Sequence, residues 1–353
     1  PAIADQRGVN FRNIIINGGM DLAQRGTSTT GLQNSPEFLI DRWSYRRAGT
    51  FTSATFSMAQ STDVPTGQGF TNSAKIDCTA TESSLPADVF AAFNQAIEGQ
   101  MLQYLKKGTS NAESLALSFW VKSNKTGTYT FELFDQDNTR SISKSYTISS
   151  ADTWEKKTIT FPADTTGTLD NDNAASFQLY WYLCAGSNFT SGTLNTSWTS
   201  RVDANRAVGQ VNLADNTSNE WYITGVQLET GQVASDFEFL PVDVNLGRCQ
   251  RYHQTSIPIG SFFSSTTGVG AHHVMSWSDG NVTGKVFPTP MRATPTITLR
   301  QDTSTTTGII KTSAGDKSAS ASAVNSTSIG FLNVTSGAAT NYALYHYRAD
   351  AEL

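Results

Sequence analysis

The stretch Leu115-Ala-Leu-Ser-Phe-Trp-Val-Lys-Ser123 decides the fold, because its large apolar side chains alternate with other residues. One set of alternate positions is Leu115, Leu117, Phe119 and Val121, and the other is Ala116, Ser118, Trp120 and Lys122. Successive side chains of a β-strand point to opposite faces, so this spacing predicts a strand with one face in a core. A half-buried strand of this kind is typical of antiparallel sheets.

A second strand is predicted a few residues further on, where Tyr129, Phe131 and Leu133 alternate with polar residues. The polar segment Ser123–Gly127 separates the two strands and supplies Asn124 and Gly127, which suit tight turns. The sequence therefore predicts that the two strands form a hairpin.

Similar short segments continue along the chain, bounded by Asp, Asn, Ser, Thr and Gly clusters. The further predicted strands are Ser145–Ile148, Lys156–Phe161, Ser176–Leu183, Trp221–Leu228, His272–Trp277, Gly284–Phe287, Thr296–Leu299, Thr327–Val334 and Tyr342–Ala349. Many short strands at this spacing predict an all-β sandwich or barrel. A shift in composition near Pro241 to Cys249 predicts a domain boundary there.

The segment Leu85–Lys107 departs from the alternating pattern. Its apolar residues recur at three- and four-residue spacing and Gly108 follows, which predicts a helix. The alternative is a strand through Gln95–Glu98 followed by a short helical turn, because Gly99 lies in the middle of the segment.

Charge and composition exclude several classes of protein. The 353 residues carry a net charge of -5 and no run of basic residues, which argues against nucleic acid as a partner. No segment approaches the roughly 20 apolar residues of a membrane span, and Pro1–Asn10 has no signal-peptide pattern. Cys78, Cys184 and Cys249 are odd in number and widely spaced, as expected of a protein made in a reducing cytoplasm.

Recognisable catalytic motifs are absent from the sequence, so we expect no catalytic residue and no enzyme activity. His272 and His273 are adjacent, and adjacent strand residues face opposite ways, so a shared metal ion is not expected. A pair of carboxylates acting on a glycosidic bond stays open, because a sequence contains no distances.

Two oxygen-rich clusters suit either calcium or turns. One contains Asp135, Asp137 and Asn138, and the other is Asp170–Asn173. Ca²⁺ binds six to eight oxygens, so a structural calcium ion is one interpretation. Asx turns are the other interpretation, and they need no cofactor.

Aromatic residues in one predicted strand suggest sugar contact. Phe177, Leu179, Trp181 and Leu183 share one face, which leaves Tyr180 and Tyr182 facing outward or toward a cleft. Sugar rings stack on aromatic faces, and Trp198 follows with the nearby amides of Asn188 and Asn195. Tyr180, Tyr182 and Trp198 are therefore the predicted glycan-binding residues, with cross-strand packing of the tyrosines as the alternative.

Separate segments along nearly the whole chain resemble bacteriophage tail-fibre or appendage proteins that contain a jelly roll like a carbohydrate-binding module. The segments are Asn13–Asp21, Gln24–Gly26, Asp41–Trp43, Leu115–Ser123, Trp154–Phe161, Trp221–Glu229 with Gly231 and Phe237-Glu238, Cys249–Tyr252, Phe287–Pro295 and Ala349–Leu353. The motifs suit architecture: Asn17-Gly-Gly19 as a tight turn, Trp43 and Trp120 as core anchors, and Phe237 and Phe239 as closing-strand packing.

The resemblance implies a virion protein with three parts, which are an attachment arm at residues 1–12, a jelly-roll β-sandwich at 13–247 and a smaller β-domain at 248–353. It implies a homotrimer that contacts other virion proteins through the arm and host-surface polysaccharide elsewhere. The final strand has large side chains on both faces, so we expect symmetry mates to cover one face.

Three functions remain open at this point. The first is a short tail fibre or appendage that binds host-surface glycans. The second is a capsid head fibre or decoration protein, because only a short segment precedes the N-terminal motif. The third is the binding module of a polysaccharide-acting enzyme, since one fold serves many functions.

Overall fold

The structure is a computed structural model that describes residues 11–33, 35–266, 268–275, 281–334 and 342–353. The chain divides into two compact units. The first contains residues 11–21, Ser28–Leu240 and Leu353, and the second contains Leu22–Thr27 and Pro241–Glu352. Residues 1–10 of the predicted arm lie outside the described residues, and the domain limits predicted after residues 12 and 247 stay predictions.

The first unit is a sandwich of two antiparallel sheets. Its strands are β1 Ser28–Leu32, β2 Glu37–Phe38, β3 Ser44–Ala48, β4 Thr55–Ser61, β5 Ser73–Ala80, β6 Phe90–Glu98, β7 Leu115–Ser123, β8 Gly127–Asp135, β9 Arg140–Ile148, β10 Glu155–Phe161, β11 Ala175–Ala185, β12 Thr199–Ser200 and β13 Glu220–Thr230. A short helix, α1, spans Ser187–Thr190. One sheet has the order β1-β4-β5-β13-β7-β10, and the other has the order β12-β9-β8-β11-β6-β3-β2. The predicted all-β jelly-roll sandwich is confirmed.

Aromatic side chains fill the space between these two sheets. Trp43, Trp181 and Trp221 are fully buried, and the Trp43 ring stacks on Phe93 with 4.8 Å between ring centroids. Trp43 is thus the core anchor that was expected. Trp120 is not an anchor, because it lies half-buried on the opposite face of β7 from Leu117 and Phe119.

The predicted helix over Leu85–Lys107 is wrong, and the alternative of a strand followed by a helical turn is closer. Residues Phe90–Glu98 form β6, and two 3₁₀ turns follow at Gly99–Met101 and Gln103–Leu105. Every residue of β6 is buried, so both of its faces are covered. A strand covered on both faces loses the two-residue alternation that distinguishes it from a helix.

The predicted hairpin between β7 and β8 is also wrong, although both strands exist. β7 pairs with β10 and β13, whereas β8 pairs with β9 and β11 in the other sheet. The segment after Ser123 therefore crosses from one sheet to the other. Alternation of side chains records which residues face the core but not which strand lies alongside.

The N-terminal motif packs against β13. The Asn13 side chain is buried, accepts hydrogen bonds from the backbone N–H of Ile15 and Leu228, and donates to the Val226 carbonyl. Gly18 is required because a Cβ there would lie 2.1 Å from the Val226 carbonyl oxygen. The turn is tight as expected, but the positive φ angles belong to Asn17 and Met20.

The segment that closes the first unit is not the strand that was expected. Phe237 and Phe239 lie outside any strand, and their rings pack on each other and on Phe70. The Glu238 carboxylate accepts hydrogen bonds from the backbone N–H of Phe11 and Asn13. The hydrogen bond from Asn13 to Glu238 thereby joins the N-terminal motif Asn13–Asp21 to the Phe237-Glu238 motif.

The second unit is built around one antiparallel sheet. Its elements are α2 Val242–Gln250, β14 His253–Thr255, β15 His272–Met275, β16 Asn281–Val286, β17 Thr296–Arg300, β18 Ile309–Thr312, β19 Gly315–Ser322, β20 Ser328–Val334 and β21 Tyr342–Asp350. The long strand β21 pairs with β14, β15, β17 and β18. Tyr345 and Tyr347 on one face of β21 lie in the core of this unit.

The opposite face of β21 is covered at His346 within the unit itself. His346 is fully buried, and its Nδ1 lies 2.9 Å from the Ser256 hydroxyl. Burial of this position therefore needs no symmetry mate, and the trimer stays a prediction. All three cysteines are buried, and none of them forms a disulfide with another described residue. No helix in the described part of the chain has the length and apolarity to cross a membrane.

Candidate functional site

Tyr180 and Tyr182, two of the predicted glycan-binding residues, are covered by protein. Their exposed fractions are 7% and 0%, so the expectation that they face outward is wrong. The Phe90 ring packs edge-on against both tyrosines, and Phe189 of α1 packs edge-on against Phe90. Neither tyrosine offers an open ring face to a sugar in this structure.

A buried ion pair explains why this face of the sheet is closed. The Arg206 guanidinium lies 3.0 Å from the Glu132 carboxylate, which also accepts a 2.7 Å hydrogen bond from the Tyr182 hydroxyl. The central carbon of the Arg206 guanidinium also lies 5.2 to 5.9 Å from the centroids of four aromatic rings, which are those of Phe90, Phe189, Tyr180 and Tyr182. Burial raises the pKa of Tyr182 well above its ordinary value. The segment that carries Phe189 and Arg206 thus caps the outer face of β11.

Trp198, the third predicted residue, lies apart from the tyrosines. Its ring stacks on Phe177, which faces the core side of β11, and its indole N–H donates to the Pro162 carbonyl at 2.9 Å. The Lys107 ammonium lies 5.3 Å from its ring. The nearby amide of Asn195 donates to the Ser141 carbonyl. The three predicted residues do not converge on one surface.

A lysine ammonium occupies the centre of the first oxygen-rich cluster. Lys107 Nζ lies 2.5 Å from Asp135 Oδ2 and 3.0 Å from Asp164 Oδ2. It also donates to the carbonyls of Thr166 and Gly167 at 3.0 and 2.9 Å. Protein side chains therefore already neutralise these carboxylates. Asp135 and Asn138 form an Asx-type turn, in which the Asp135 carboxylate accepts a hydrogen bond from the Asn138 backbone N–H.

The second cluster also forms turns. Asp137 accepts from the backbone N–H of Asp170, and Asp172 accepts from that of Ala174. Within the described residues, no group of three or more His, Cys, Asp or Glu side chains is placed to hold a metal ion. His272 and His273 pack on different tyrosines, with His272 near Tyr345 and His273 near Tyr342.

A different surface brings aromatic rings and charged groups together. We call it the Trp154 face, and it consists of Lys75, Trp120, Lys122, Trp154 and Tyr222 on the outer side of the six-stranded sheet. Tyr222 of β13 lies opposite Lys75 of β5 on one side and Lys122 of β7 on the other. Trp154 directly precedes β10, and the β10–β7 register places it beside Lys122. Cations and aromatic rings thus alternate across four strands.

Cation–π contacts link the neighbouring side chains in this row, which runs from Lys75 through Tyr222 and Lys122 to Trp154. The Lys122 ammonium lies 4.2 Å from the centroid of the Tyr222 ring and 5.7 Å from that of Trp154, and Lys75 lies 5.4 Å from the Tyr222 ring. Such contacts are favourable because the face of an aromatic ring is electronegative. These contacts hold the side chains of Lys75, Tyr222, Lys122 and Trp154 close together on the sheet.

Carboxylates complete the Trp154 face. Asp63 pairs with Lys122 and accepts the Trp154 indole N–H at 2.9 Å. Burial, the largest effect, raises the pKa of Asp63, but the bonds from Lys122 and Trp154 outweigh it and leave the pKa below its ordinary value. Glu220 accepts from the Tyr222 hydroxyl at 3.0 Å, and burial together with this bond raises the pKa of Tyr222 to about 12.

Trp120 occupies the next row of the same face. It lies opposite Lys156 of β10 and Thr224 of β13, and its indole is half-buried. Across neighbouring strands, diagonal residues are close enough for large side chains to act together, so Trp120 and Trp154 can contact one ligand. The sequence contains a signal for this surface, since Trp120 is a large aromatic ring among the polar residues of β7.

Comparisons with known proteins give low similarity. No protein-family model matches the sequence, and no curated protein sequence matches it. A structure of the enzymatically active domain of a tailspike protein from bacteriophage CBA120 is 15% identical, with 62% of this chain and 22% of that chain covered and a TM-score of 0.33.

Two further solved structures are similar to this chain. A putative sugar-binding protein from Bacteroides thetaiotaomicron is 12% identical, with 62% of this chain and 100% of that chain covered and a TM-score of 0.31. A family 11 carbohydrate-binding module from Clostridium thermocellum is 14% identical, with 60% and 99% covered and a TM-score of 0.29. All three TM-scores lie below 0.5, so what those proteins bind or do is not carried over to this chain.

Proposed function

We propose that this chain is a non-catalytic structural protein of a bacteriophage particle, a short tail fibre or appendage, that binds host-surface glycans through the Trp154 face. The observation that supports glycan binding is the pair of half-exposed indoles, Trp120 and Trp154, on a sheet face of charged and hydroxyl side chains. Sugar rings stack on aromatic faces, and charged side chains hydrogen-bond to sugar hydroxyls.

The charges of the Trp154 face and its surroundings balance. The surface has as many lysines as carboxylates: the lysines are Lys75, Lys122 and Lys156, and the carboxylates are Asp63, Asp77 and Glu220. The Lys75 ammonium lies 2.9 Å from the Asp77 carboxylate and 2.6 Å from that of Glu220. A balanced surface exerts little long-range attraction on a charged partner. Affinity on this face therefore depends on stacking and on short hydrogen bonds, as expected for a neutral glycan.

The virion role is supported by the sequence resemblance. Its N-terminal motif and the segments Trp221–Glu229 and Phe237-Glu238 are separate in sequence but share one hydrogen-bond network, in which Gln227 accepts from the Glu238 backbone N–H and Glu229 accepts from Ser235. These motifs hold the fold together. Attachment to other virion proteins is assigned to the N-terminal arm as part of the proposal.

Binding to an array of bacterial surface polysaccharides tests the glycan part. The variants Trp120→Ala and Trp154→Ala each remove a stacking face worth on the order of 1 kcal/mol, so each weakens binding about five-fold. Tyr104→Ala is the matched control, because Tyr104 is an exposed aromatic residue of the first unit outside the Trp154 face. A silent array, or equal losses for Tyr104→Ala and the tryptophan variants, would contradict the proposal.

Immunogold labelling of the phage whose genome encodes the chain tests the location. We expect label on the tail or its appendages. Label on the capsid would instead support a head fibre or decoration protein, and label on neither would overturn the virion role. Release of reducing ends or unsaturated sugars from polysaccharide by the purified chain would show that it is an enzyme.

A further inference from the structure

The second unit has a pocket on the face of β21 that points away from its core. Tyr345, Tyr347 and Ala349 point into the core, so Arg348 lies on the other face. On the neighbouring strands Arg348 lies opposite Thr255 of β14 and Thr298 of β17. A polar strip therefore crosses three strands at this position.

Two guanidinium groups share one aromatic ring beside this strip, but their hydrogen bonds differ. The guanidinium carbons of Arg300 and Arg348 each lie 5.4 Å from the centroid of the Phe263 ring. Arg300 donates to the carbonyls of Ser265, Gln301 and Ser304 at 2.5 to 3.0 Å. The Arg300 guanidinium thus stabilises the surrounding loops by hydrogen bonds to their backbone.

Arg348 keeps most of its donors available. Among the described residues it makes one long hydrogen bond, 3.5 Å to the Thr298 hydroxyl, although a guanidinium has five N–H donors. Packing on Phe263 fixes the group without using those donors. A planar guanidinium held in this way is suited to bidentate recognition of a carboxylate.

The pocket beside Arg348 has a volume of about 260 Å³. Arg25, His253, Thr255, Thr305 and Thr307 also line it, together with the rings of Phe262 and Phe263. Arg25 already pairs with Asp350 and Glu352 at 3.1 and 3.0 Å, and His253 lies 3.2 Å from Asp350. The carboxylates of this region are therefore engaged by Arg25 and His253, and none of the lining residues is acidic.

We propose that this pocket binds an acidic monosaccharide unit of a glycan, with the sugar carboxylate on the Arg348 guanidinium. The exposed hydroxyls of Thr305 and Thr307 are placed to bond sugar hydroxyls, and Phe262 offers an apolar surface to the ring. The volume suits one sugar unit, since pockets for larger, drug-sized ligands begin near ~300 Å³. This site goes beyond the proposed function, because it lies in the other unit and selects a charged ligand.

Calorimetric titration of the full chain with sodium glucuronate and with glucose tests the site. We expect glucuronate to bind in the millimolar range and glucose about tenfold more weakly or not at all, because glucose lacks the carboxylate. Arg348→Met should weaken glucuronate binding about tenfold, whereas Lys317→Met, which removes a cation elsewhere in the second unit, should leave it unchanged.

A second variant protects the test against misfolding of the first. Thr305 and Thr307 are exposed, so the double variant Thr305→Val/Thr307→Val should fold and weaken glucuronate binding several-fold. Trp120→Ala should not change glucuronate binding, which separates this site from the Trp154 face. Unchanged binding in both pocket variants, or inorganic phosphate binding as tightly as glucuronate, would overturn the proposal.

Discussion

Asn13 shows how a single buried side chain can join two distant parts of a chain. Its carboxamide bonds to backbone groups of Ile15, Val226 and Leu228, and its exposed fraction is 4%. Replacing it leaves buried backbone groups without partners, which costs about 1 to 3 kcal/mol for each group. The residue therefore has a structural role that its position in a sequence motif does not specify.

The first prediction is that Asn13→Ala lowers the free energy of unfolding of the first unit by about 3 kcal/mol or more, because three buried backbone groups lose their partner. Urea unfolding followed by tryptophan fluorescence measures this loss. Asn111→Ala is the control, because Asn111 is exposed, and it should change the free energy by less than about 0.5 kcal/mol. Equal effects of the two substitutions would contradict the role assigned to Asn13.

The second prediction concerns acid and Asp164. Burial, the largest effect, raises the pKa of Asp164, but hydrogen bonds from Arg140 and Lys107 lower it more, so its folded pKa lies below the ordinary 3.8. The contribution of Asp164 to stability is therefore complete above the unfolded pKa and is lost as pH falls through the folded pKa. Stability in urea should fall between about pH 5 and pH 2, and less steeply in Asp164→Asn.

The matched control for this pH series is Asp152→Asn, because Asp152 is exposed and Asn tolerates its positive φ of 55°. This variant should keep the pH dependence of the parent chain. A pH dependence that is as steep in Asp164→Asn as in the parent chain would show that ionisation of Asp164 does not contribute to stability.

Residue patterns predicted the core better than the site. Alternation placed Trp181 in the core and Tyr180 and Tyr182 on the opposite face of β11, and that assignment is correct. It did not show that Phe189 and Arg206 would cover the tyrosines, because Phe189 lies in the short helix α1 and Arg206 in a later loop, both outside the strand. The position of a loop depends on tertiary contacts that periodicity does not record.

At the scale of elements, the capping segment after β11 depends on the ion pair between Arg206 and Glu132. Both side chains are nearly inaccessible, with exposed fractions of 6% and 0%. Removing one partner of such a pair leaves an uncompensated buried charge, which costs about 3 to 5 kcal/mol. Replacing both partners by uncharged residues avoids that cost.

The third prediction is therefore non-additive. Arg206→Met alone should destabilise the first unit by about 3 kcal/mol or more, and Arg206→Met combined with Glu132→Gln should recover at least about 1 kcal/mol of that loss. Thermal or urea unfolding of the two single variants and the double variant measures the coupling. Additive losses would mean that the two side chains do not act as a pair.

The elements that were predicted wrongly share one physical feature. β6 is covered on both faces, so its apolar run imitates a helix, and the β7–β8 connection crosses between sheets. In both cases the deciding information is which other strand or loop lies alongside. Strands with one exposed face, such as β10, were predicted almost to their ends, because their alternation is intact.

At the scale of the whole molecule, the fourth prediction is that the chain is a homotrimer. The family resemblance supports it, and Tyr342 and Leu344 at the start of β21 are only half-buried within one chain. Most soluble homo-oligomers have closed symmetry, and a closed trimer would cover these positions equally in all three chains. Light scattering at micromolar concentration should give three times the mass of one chain, and a monomer would contradict the trimer.

Deletion of residues after Pro258 locates the trimer interface. If the second unit supplies much of the interface, the shortened chain should be a monomer by the same light-scattering measurement. A shortened chain that remains a trimer would place the interface in the part that is retained.

The central claim is that the Trp154 face contacts glycans. The most direct measurement is NMR of the tryptophan indole N–H signals during titration with a polysaccharide fragment that the array identifies, since the chain has seven tryptophans. We predict that the signals of Trp120 and Trp154 shift most and that those of the buried Trp43, Trp181 and Trp221 stay in place. The largest shift at Trp198, or saturable binding without a shift at Trp120 and Trp154, would contradict the claim.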